Sequence, residues 1–382
     1  MFKVPAVQWN VRANSYPQWI LLAVGIGVLF FLGGKSSQIL SFLLHQSKGY
    51  VFLSNAVASI DEESFGSDYC FMDGILNEES IEFVESAKQE LNSANQVRPK
   101  DSQNLLLLAR SECISGNHEA AIKNYLLYTQ LRPNNPLGFL ELGYAYDVNG
   151  QKELAVQAWE RGDATEHDFF KLGLNLGEEN KFEEAIKWYQ RSILINPKWA
   201  MPYIKVGLIN VSLEEWELAI DYLHKGLQLD NNDQYAWYQI GMAYEKMAMW
   251  DEAFTAYQSA LVHEGEIGKS NIYFRLGWIN QYHFPEEQYV ISMDFYQEAL
   301  RNDEYHTNPF QKSNTLYHLG NLLSKQNRLT EAVESYLDSL ELNPEHFWAH
   351  IQLSKVYWRS GNIELAITEA QKAVTFIHPI KR

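Results

Sequence analysis

Residues 320–344 read GNLLSKQNRLTEAVESYLDSLELNP. Gly320 opens the stretch, Ala332 follows twelve positions later, Tyr336 four after that, and Pro344 eight further. The same spacing recurs at Ala109, Ala121, Tyr125 and Pro133, and again at Gly173, Ala185, Tyr189 and Pro197. One copy would carry little weight. Recurrence in register sets the architecture, because short units that each bury one face must stack on their neighbours.

Working outward, the opening small residues fall at Ala109, Gly143, Gly173, Gly207, Gly241, Gly277, Gly320 and Ser354, at steps of 34, 30, 34, 34, 36, 43 and 34. Twelve positions after most of them stands Ala121, Ala155, Ala185, Ala219, Ala253, Ala332 or Ala366. Four further on are Tyr125, Trp159, Tyr189, Leu223, Tyr257, Tyr336 and Ala370. Two helices cross closely only where side chains are small. Large residues three and four away, such as Trp237, Ile240 and Tyr244 around Gly241, fill the space beside the crossing. Ser115-Gly116-Asn117 and Asn149-Gly150 supply turns between helices, and the prolines stop the second helix of a unit. The 30-residue step after Gly143 implies the loss of about one helical turn around His167. The His283–Glu287 run inserts three residues, so Ser292, Tyr296 and Ala299 resume the pattern late, and a longer link with Asn308-Pro309 follows. Such insertions map to one edge of a solenoid, although lengthened loops are tolerated at little cost.

The pattern resembles the tetratricopeptide repeat, a helix–turn–helix unit, over residues 102–382 in eight copies. The resemblance implies an all-α fold, a right-handed α-solenoid of stacked units, here expected behind one N-terminal transmembrane helix. Ala87, Leu91, Ala94 and Pro99 reproduce the second half of a unit, so a degenerate repeat is expected over residues 68–101.

The anchor is read from the sequence before the array. From Ala13 to Gly34 there is no charged residue, and Trp19–Gly34 reads WILLAVGIGVLFFLGG. Roughly 20 mostly apolar residues cross a bilayer core. The expected organisation is a basic segment at 1–16, a span at 17–34, and a juxtamembrane or interfacial helix with linker at 35–67. Pro17 suits the first turn of the span, with Tyr16 and Trp19 at one headgroup region and Lys35 at the other. A cleaved signal peptide is the rival reading, though no clear small-residue cleavage site follows. Lys3 and Arg12 precede the span while Lys35 and Lys48 follow it, a charge balance that leans weakly towards an extracytoplasmic solenoid.

The chain has 382 residues, 46% hydrophobic and 14% aromatic, enough to bury a continuous core. Residues 1–60 hold four cations and no Asp or Glu, leaving 27 basic against 48 acidic residues in the remainder. So acidic a body argues against nucleic acid, whose phosphates need Lys and Arg clusters. The acid-free head suits anionic lipid. Cys70 and Cys113 could pair in an oxidising compartment, but two separate buried thiols are the expectation.

In the resembling family the first helices line the concave side. The positions six and three before the small residue, and one and four after it, then form a stripe available to a partner. That stripe reads Tyr235, Tyr238, Met242 and Glu245; Asn271, Phe274, Trp278 and Gln281; Asn314, Tyr317, Asn321 and Ser324; Trp348, Ile351, Lys355 and Trp358. Aromatics interleaved with amides suit an extended protein or peptide segment, or a glycan. Many of these rings could instead pack between adjacent first helices. A carboxylate clamp of the kind some family members use is not expected, since Arg110, Asn321 and Lys355 lie far apart in sequence while Leu106, Ile204 and Leu208 stand where polar groups are wanted.

No chemistry is expected. His346 and His350 lack the H-E-x-x-H context for a metal. Gly34-Lys35-Ser36 lacks the upstream glycine of a phosphate loop, with Leu29 in its place. Pairs such as Glu183-Glu184 read as solvated surface. The expectation is therefore no enzyme, cofactor or metal, but a single-pass membrane scaffold binding protein partners, with a glycan-binding accessory as the alternative. Glu364, Thr368, Glu369, Gln371 and Lys372 are expected to solvate the last helix, favouring a monomer.

Overall fold

The computed structural model describes residues 35–58, 68–72, 78–265, 267–302 and 308–377. Among the described residues every regular element is helical. The chain divides into two compact bodies, residues 1–172 and 173–382. The first contains α1 (Lys35–Ala58), α2 (Glu78–Val97), α3 (Ser102–Ile114), α4 (His118–Leu131), α5 (Pro136–Val148) and α6 (Lys152–Arg161). Helix α7 (Glu166–Glu178) spans the division. The second contains α8 (Phe182–Ile195), α9 (Ala200–Ser212), α10 (Trp216–Leu229), α11 (Gln234–Lys246), α12 (Trp250–Val262) and α13 (Lys269–His283). It continues with α14 (Tyr289–Arg301), α15 (Pro309–Lys325), α16 (Leu329–Leu342), α17 (Phe347–Arg359) and α18 (Ile363–Ile377).

Within each body, consecutive helices pack in pairs, and each pair lies against the next. The crossing rule explains why. A Cβ built on Gly173 would stand 2.7 Å from the Tyr189 ring, on Gly207 2.6 Å from Leu223, and on Gly241 2.7 Å from Tyr257. Gly143 bears the same relation to Trp159, and Gly320 to Tyr336. The three-residue insertion leaves the geometry unchanged: Gly277 meets Tyr296, with the Glu286–Gln288 turn absorbing the extra length. Ala121, Ala155, Ala185, Ala219, Ala253 and Ala332 are fully buried beneath these rings.

The turn inside each pair has its own rule, which the sequence pattern did not reveal. The residue seven after the small one is left-handed at Gly116, Gly150, Asn180, Glu214, Ala248, Asn327 and Gly361, with φ between 58° and 84°. The next N–H then reaches back five residues, as from Asn117 to Glu112 O (2.8 Å) and from Met249 to Tyr244 O (2.9 Å). This closes the first helix of the pair by satisfying one of its last carbonyls.

Three expectations change. Helix α1 pairs with α2, so the degenerate repeat begins with residues 35–58 rather than near Asp68. A Cβ built on Gly49 would stand 2.5 Å from Leu91 and 3.3 Å from the carbonyl of Ala87, the usual crossing, but 38 residues separate Gly49 from Ala87 and hide it from a fixed period. The turn lost after Gly143 comes from α6, ten residues long where α4, α8, α10 and α16 have fourteen, while His167 lies inside α7. Cys70 and Cys113 form a disulfide rather than two thiols, because the Tyr69–Met72 turn lies on α3 and brings their Cα atoms to 4.4 Å.

The expected span, residues 17–34, lies outside the described residues. Among those described, no helix is long and apolar enough to cross a membrane.

Candidate partner-binding face

The stripe read from the sequence lies on α11, α13, α15 and α17, all in the second body. Much of it is occupied by packing between repeats. Gln281 is buried, and its side-chain oxygen accepts the Tyr296 hydroxyl at 2.7 Å. Asn321 accepts the Tyr336 hydroxyl at 2.8 Å, and Glu245 the Tyr257 hydroxyl at 2.9 Å. Each crossing tyrosine is too deep to reach water, so a polar group on the stripe satisfies it. Burial and the neighbouring charge of Glu245 push Tyr257 well above the usual phenol range. These three stripe residues point inward.

Other members bridge neighbouring repeats. Gln311 donates to Asn271, and Asn314 pairs with His346 Nε2 at 3.1 Å. His346 also caps α17, its Nδ1 accepting the Ala349 N–H, so Nε2 carries the proton and the ring is neutral. Half-buried Tyr238 lies 5.4 Å from the Tyr257 ring. Phe274 packs on Tyr296 and His318, and Tyr317 on His318, Tyr336 and His346. Trp278 contacts Trp250, Tyr282 and His283, and His283 stacks on Trp250 at 3.6 Å. Met242 is half-buried on α11 and packs against the cluster around Tyr257.

The sequence reading missed the imidazoles. His318 stands two before Gly320 and joins Phe274, Tyr282, Tyr296 and Tyr317 into one cluster. Burial, with His346 nearby, lowers its pKa to about 4. His283 and His346 are lowered too, chiefly by burial. Near neutral pH this surface is uncharged over Trp250, Trp278, Tyr282, His283 and His318. The signal was available: three of the chain's 11 histidines cluster at repeat positions beside the stripe.

Exposure returns at both ends. Tyr235 and Tyr282 are open, and on α17 Trp348 (57%), Trp358 (62%) and Lys355 face solvent. Ser354, Lys355, Trp358 and Arg359 line a surface depression there. Arg359 is tied back to Ser324 and Asn327 of the preceding repeat.

In the first body, Cys70, Cys113 and His118 bring their donor atoms within 4.8 Å of one another. As a disulfide the two sulfurs are not thiolate donors, the form a metal would need.

Comparison with known proteins agrees with this geometry. Residues 169–198 and 235–262 match tetratricopeptide-repeat models, and residues 320–361 match a TPR-repeat model. These three stretches are tetratricopeptide repeats. It is similar to the TPR repeat-containing protein MJ1428 of Methanocaldococcus jannaschii, 23% identical over 207 residues, 53% of this chain and 35% of that protein. It is also similar to the anaphase-promoting complex subunit cut9 of Schizosaccharomyces pombe, 24% identical over 201 residues, 50% of this chain and 30% of that one. The aligned region thus spans about a third of these two relatives' length. Among solved structures, YrrB, a TPR protein with an unusual peptide-binding site, is 24% identical, with a TM-score of 0.42, over 49% of this chain and 91% of that one.

Proposed function

We propose that this tetratricopeptide-repeat chain is a membrane-anchored scaffold that recruits protein partners by binding an extended segment along its first helices. It acts by binding rather than by catalysis. The observation that carries the reading is the exposure of Trp348 and Trp358 beside Lys355 on α17, where flat apolar faces and a cation are open to solvent while most rings upstream are packed. Large amphipathic rings of this kind dominate interface energetics. The charge-free stretch 13–34 is the proposed anchor. Anchoring concentrates the repeats near membrane partners, so modest affinity suffices. The flank charges favour an extracytoplasmic array.

The test is affinity capture with the full chain against the Trp348→Ala/Trp358→Ala variant. A defined protein retained by the wild type and lost by the variant supports the reading. Equal retention by both removes this face from it. Exposed indoles also suit sugar rings, so glycan binding by the purified chain in the absence of protein would select the glycan alternative instead. Protease accessibility in intact cells fixes the side of the membrane.

A further inference from the structure

Helix α1 has two faces of similar apolarity, and among the described residues only one is packed into a core. Phe42, Leu53, Ala56 and Val57 are buried, the last three in a core shared with Val84, Ala87 and Leu91 of α2. Ile39, Leu43, Leu44, Tyr50 and Val51 are left between 38% and 52% exposed. At about 100° per residue, Leu43, Leu44, Tyr50 and Val51 fall with Ser47 in one arc turned away from Gly49 and Leu53. The outermost helix of a repeat array needs a polar outer face to stay soluble. This one is greasy instead, and α1 contains no Asp or Glu.

Its setting indicates what covers it. The chain reaches α1 directly from the uncharged apolar stretch 13–34, and residues 1–60 carry Lys3, Arg12, Lys35 and Lys48 without one acid. The rest of the protein is strongly acidic. An anionic lipid surface favours an outward helix face that carries no acid of its own, with Glu90 of α2 held at its edge by His45 and Lys48. Helix α1 is itself not apolar enough to cross a bilayer, and its other face is occupied by α2. It can therefore only lie flat. We propose that the outward face of α1 rests in the headgroup layer of a bilayer containing anionic lipid, holding the first body against the membrane. Lys48 is half exposed, with Nζ 3.8 Å from Glu90 Oε1. It sits at the edge of the arc, where a long side chain reaches phosphate while its stem stays apolar.

This inference rests on the anchor reading, and the test separates the two. Single cysteines are introduced as Leu44→Cys, Val51→Cys and, as a control on α10, Leu218→Cys, which is 50% exposed. The full chain, with Cys70 and Cys113 kept as a disulfide, is labelled with an environment-sensitive fluorophore. It is reconstituted with vesicles of phosphatidylcholine alone or with one quarter phosphatidylglycerol. Flotation reports the anchor. Quenching by a nitroxide held at headgroup depth reports the face. The expected result is flotation with a severalfold loss of fluorescence at positions 44 and 51 in the anionic vesicles, less in neutral ones, and none at 218. Flotation without quenching at 44 and 51 overturns the proposal and leaves the anchor standing. Failure to float overturns both. Equal quenching in both vesicle types overturns the anionic preference. A blue shift without vesicles, together with dimeric sedimentation, shows that a second copy covers the face and also overturns it.

Discussion

The crossing at Gly241 can be tested by adding a single methyl group. In Gly241→Ala the new Cβ would stand 2.7 Å from Tyr257 Cδ1 and Cε1 and 3.0 Å from Cζ. The ring has nowhere to go: it is fully buried, lies against Tyr238, and is held by its hydroxyl on Glu245. Helices α11 and α12 must separate, or the ring must leave its rotamer. Overpacking of this kind costs about 1–3 kcal/mol. Alanine's better helix propensity returns about 1 kcal/mol. The net is a local destabilisation of up to about 2 kcal/mol, and a lost energy of that size lowers hydrogen-exchange protection by up to about thirtyfold. Exchange is the right assay because a long repeat array need not unfold as one cooperative step. Peptides from α11 and α12 are compared between wild type and variant, with those from α17 as the internal reference. In a Tyr257→Ala background the same methyl meets open space, so Gly241→Ala should there be neutral or stabilising by up to about 1 kcal/mol. Protection in the Gly241→Ala single variant above that of the wild type would refute the close crossing. An equal penalty in both backgrounds would show that Tyr257 is not what the methyl meets.

Ala248 sits in the left-handed turn at φ 58°, a conformation that costs a residue with a Cβ about 1–2 kcal/mol, so Ala248→Gly should raise local stability by about 0.5–1 kcal/mol in the same exchange measurement. Unreduced protein unfolded in denaturant should show no titratable thiol. Replacing Cys70 and Cys113 by serine should lower stability by about 4 kcal/mol, from a chain separation of 43 residues in the loop-entropy model. His318 titrates near 4 in the folded state against 6.5 when free, so the unfolded chain binds more protons between those values. Stability is therefore full above pH 6.5 and falls towards pH 4 by up to about 3 kcal/mol, a loss that His318→Gln should reduce.

The paired-helix architecture was legible because packing demands small residues at fixed places: Gly173, Gly207 and Gly241 do occupy equivalent crossings. Three features were not. The Gly49 crossing escaped because its partner helix comes 38 residues later in place of twelve, so periodicity carried no information. The inward turn of Gln281 and Asn321 escaped for a different reason. An amide at a helix position reads the same whether it faces a ligand or a buried hydroxyl, and only the depth of Tyr296 and Tyr336 decides between them. Glu369 was expected on the outer side of the last helix. It is instead buried against His350 Nδ1 at 2.5 Å, because His350 fills a site where the earlier repeats place apolar residues. Glu364, Thr368, Gln371 and Lys372 are exposed as expected, and Ile363, Leu365, Ile367 and Val374 share the exposed positions of α18 with them.

The ion pairs inside the stack have a consequence for how such a chain can change over generations. Glu141 on α5 holds Arg110 of α3 by two hydrogen bonds, at 2.6 and 2.9 Å, and also takes the Tyr125 hydroxyl. Glu245 on α11 likewise holds Arg275 of α13 at 2.8 Å. An array whose joints are purely apolar can gain or lose a module by recombination and still close up. At the buried Arg110–Glu141 joint, excising the module on either side would leave a desolvated charge unpaired, a defect of about 3–5 kcal/mol. At that joint the order of the two modules is set by charge as well as by shape, so neither can be exchanged without its partner.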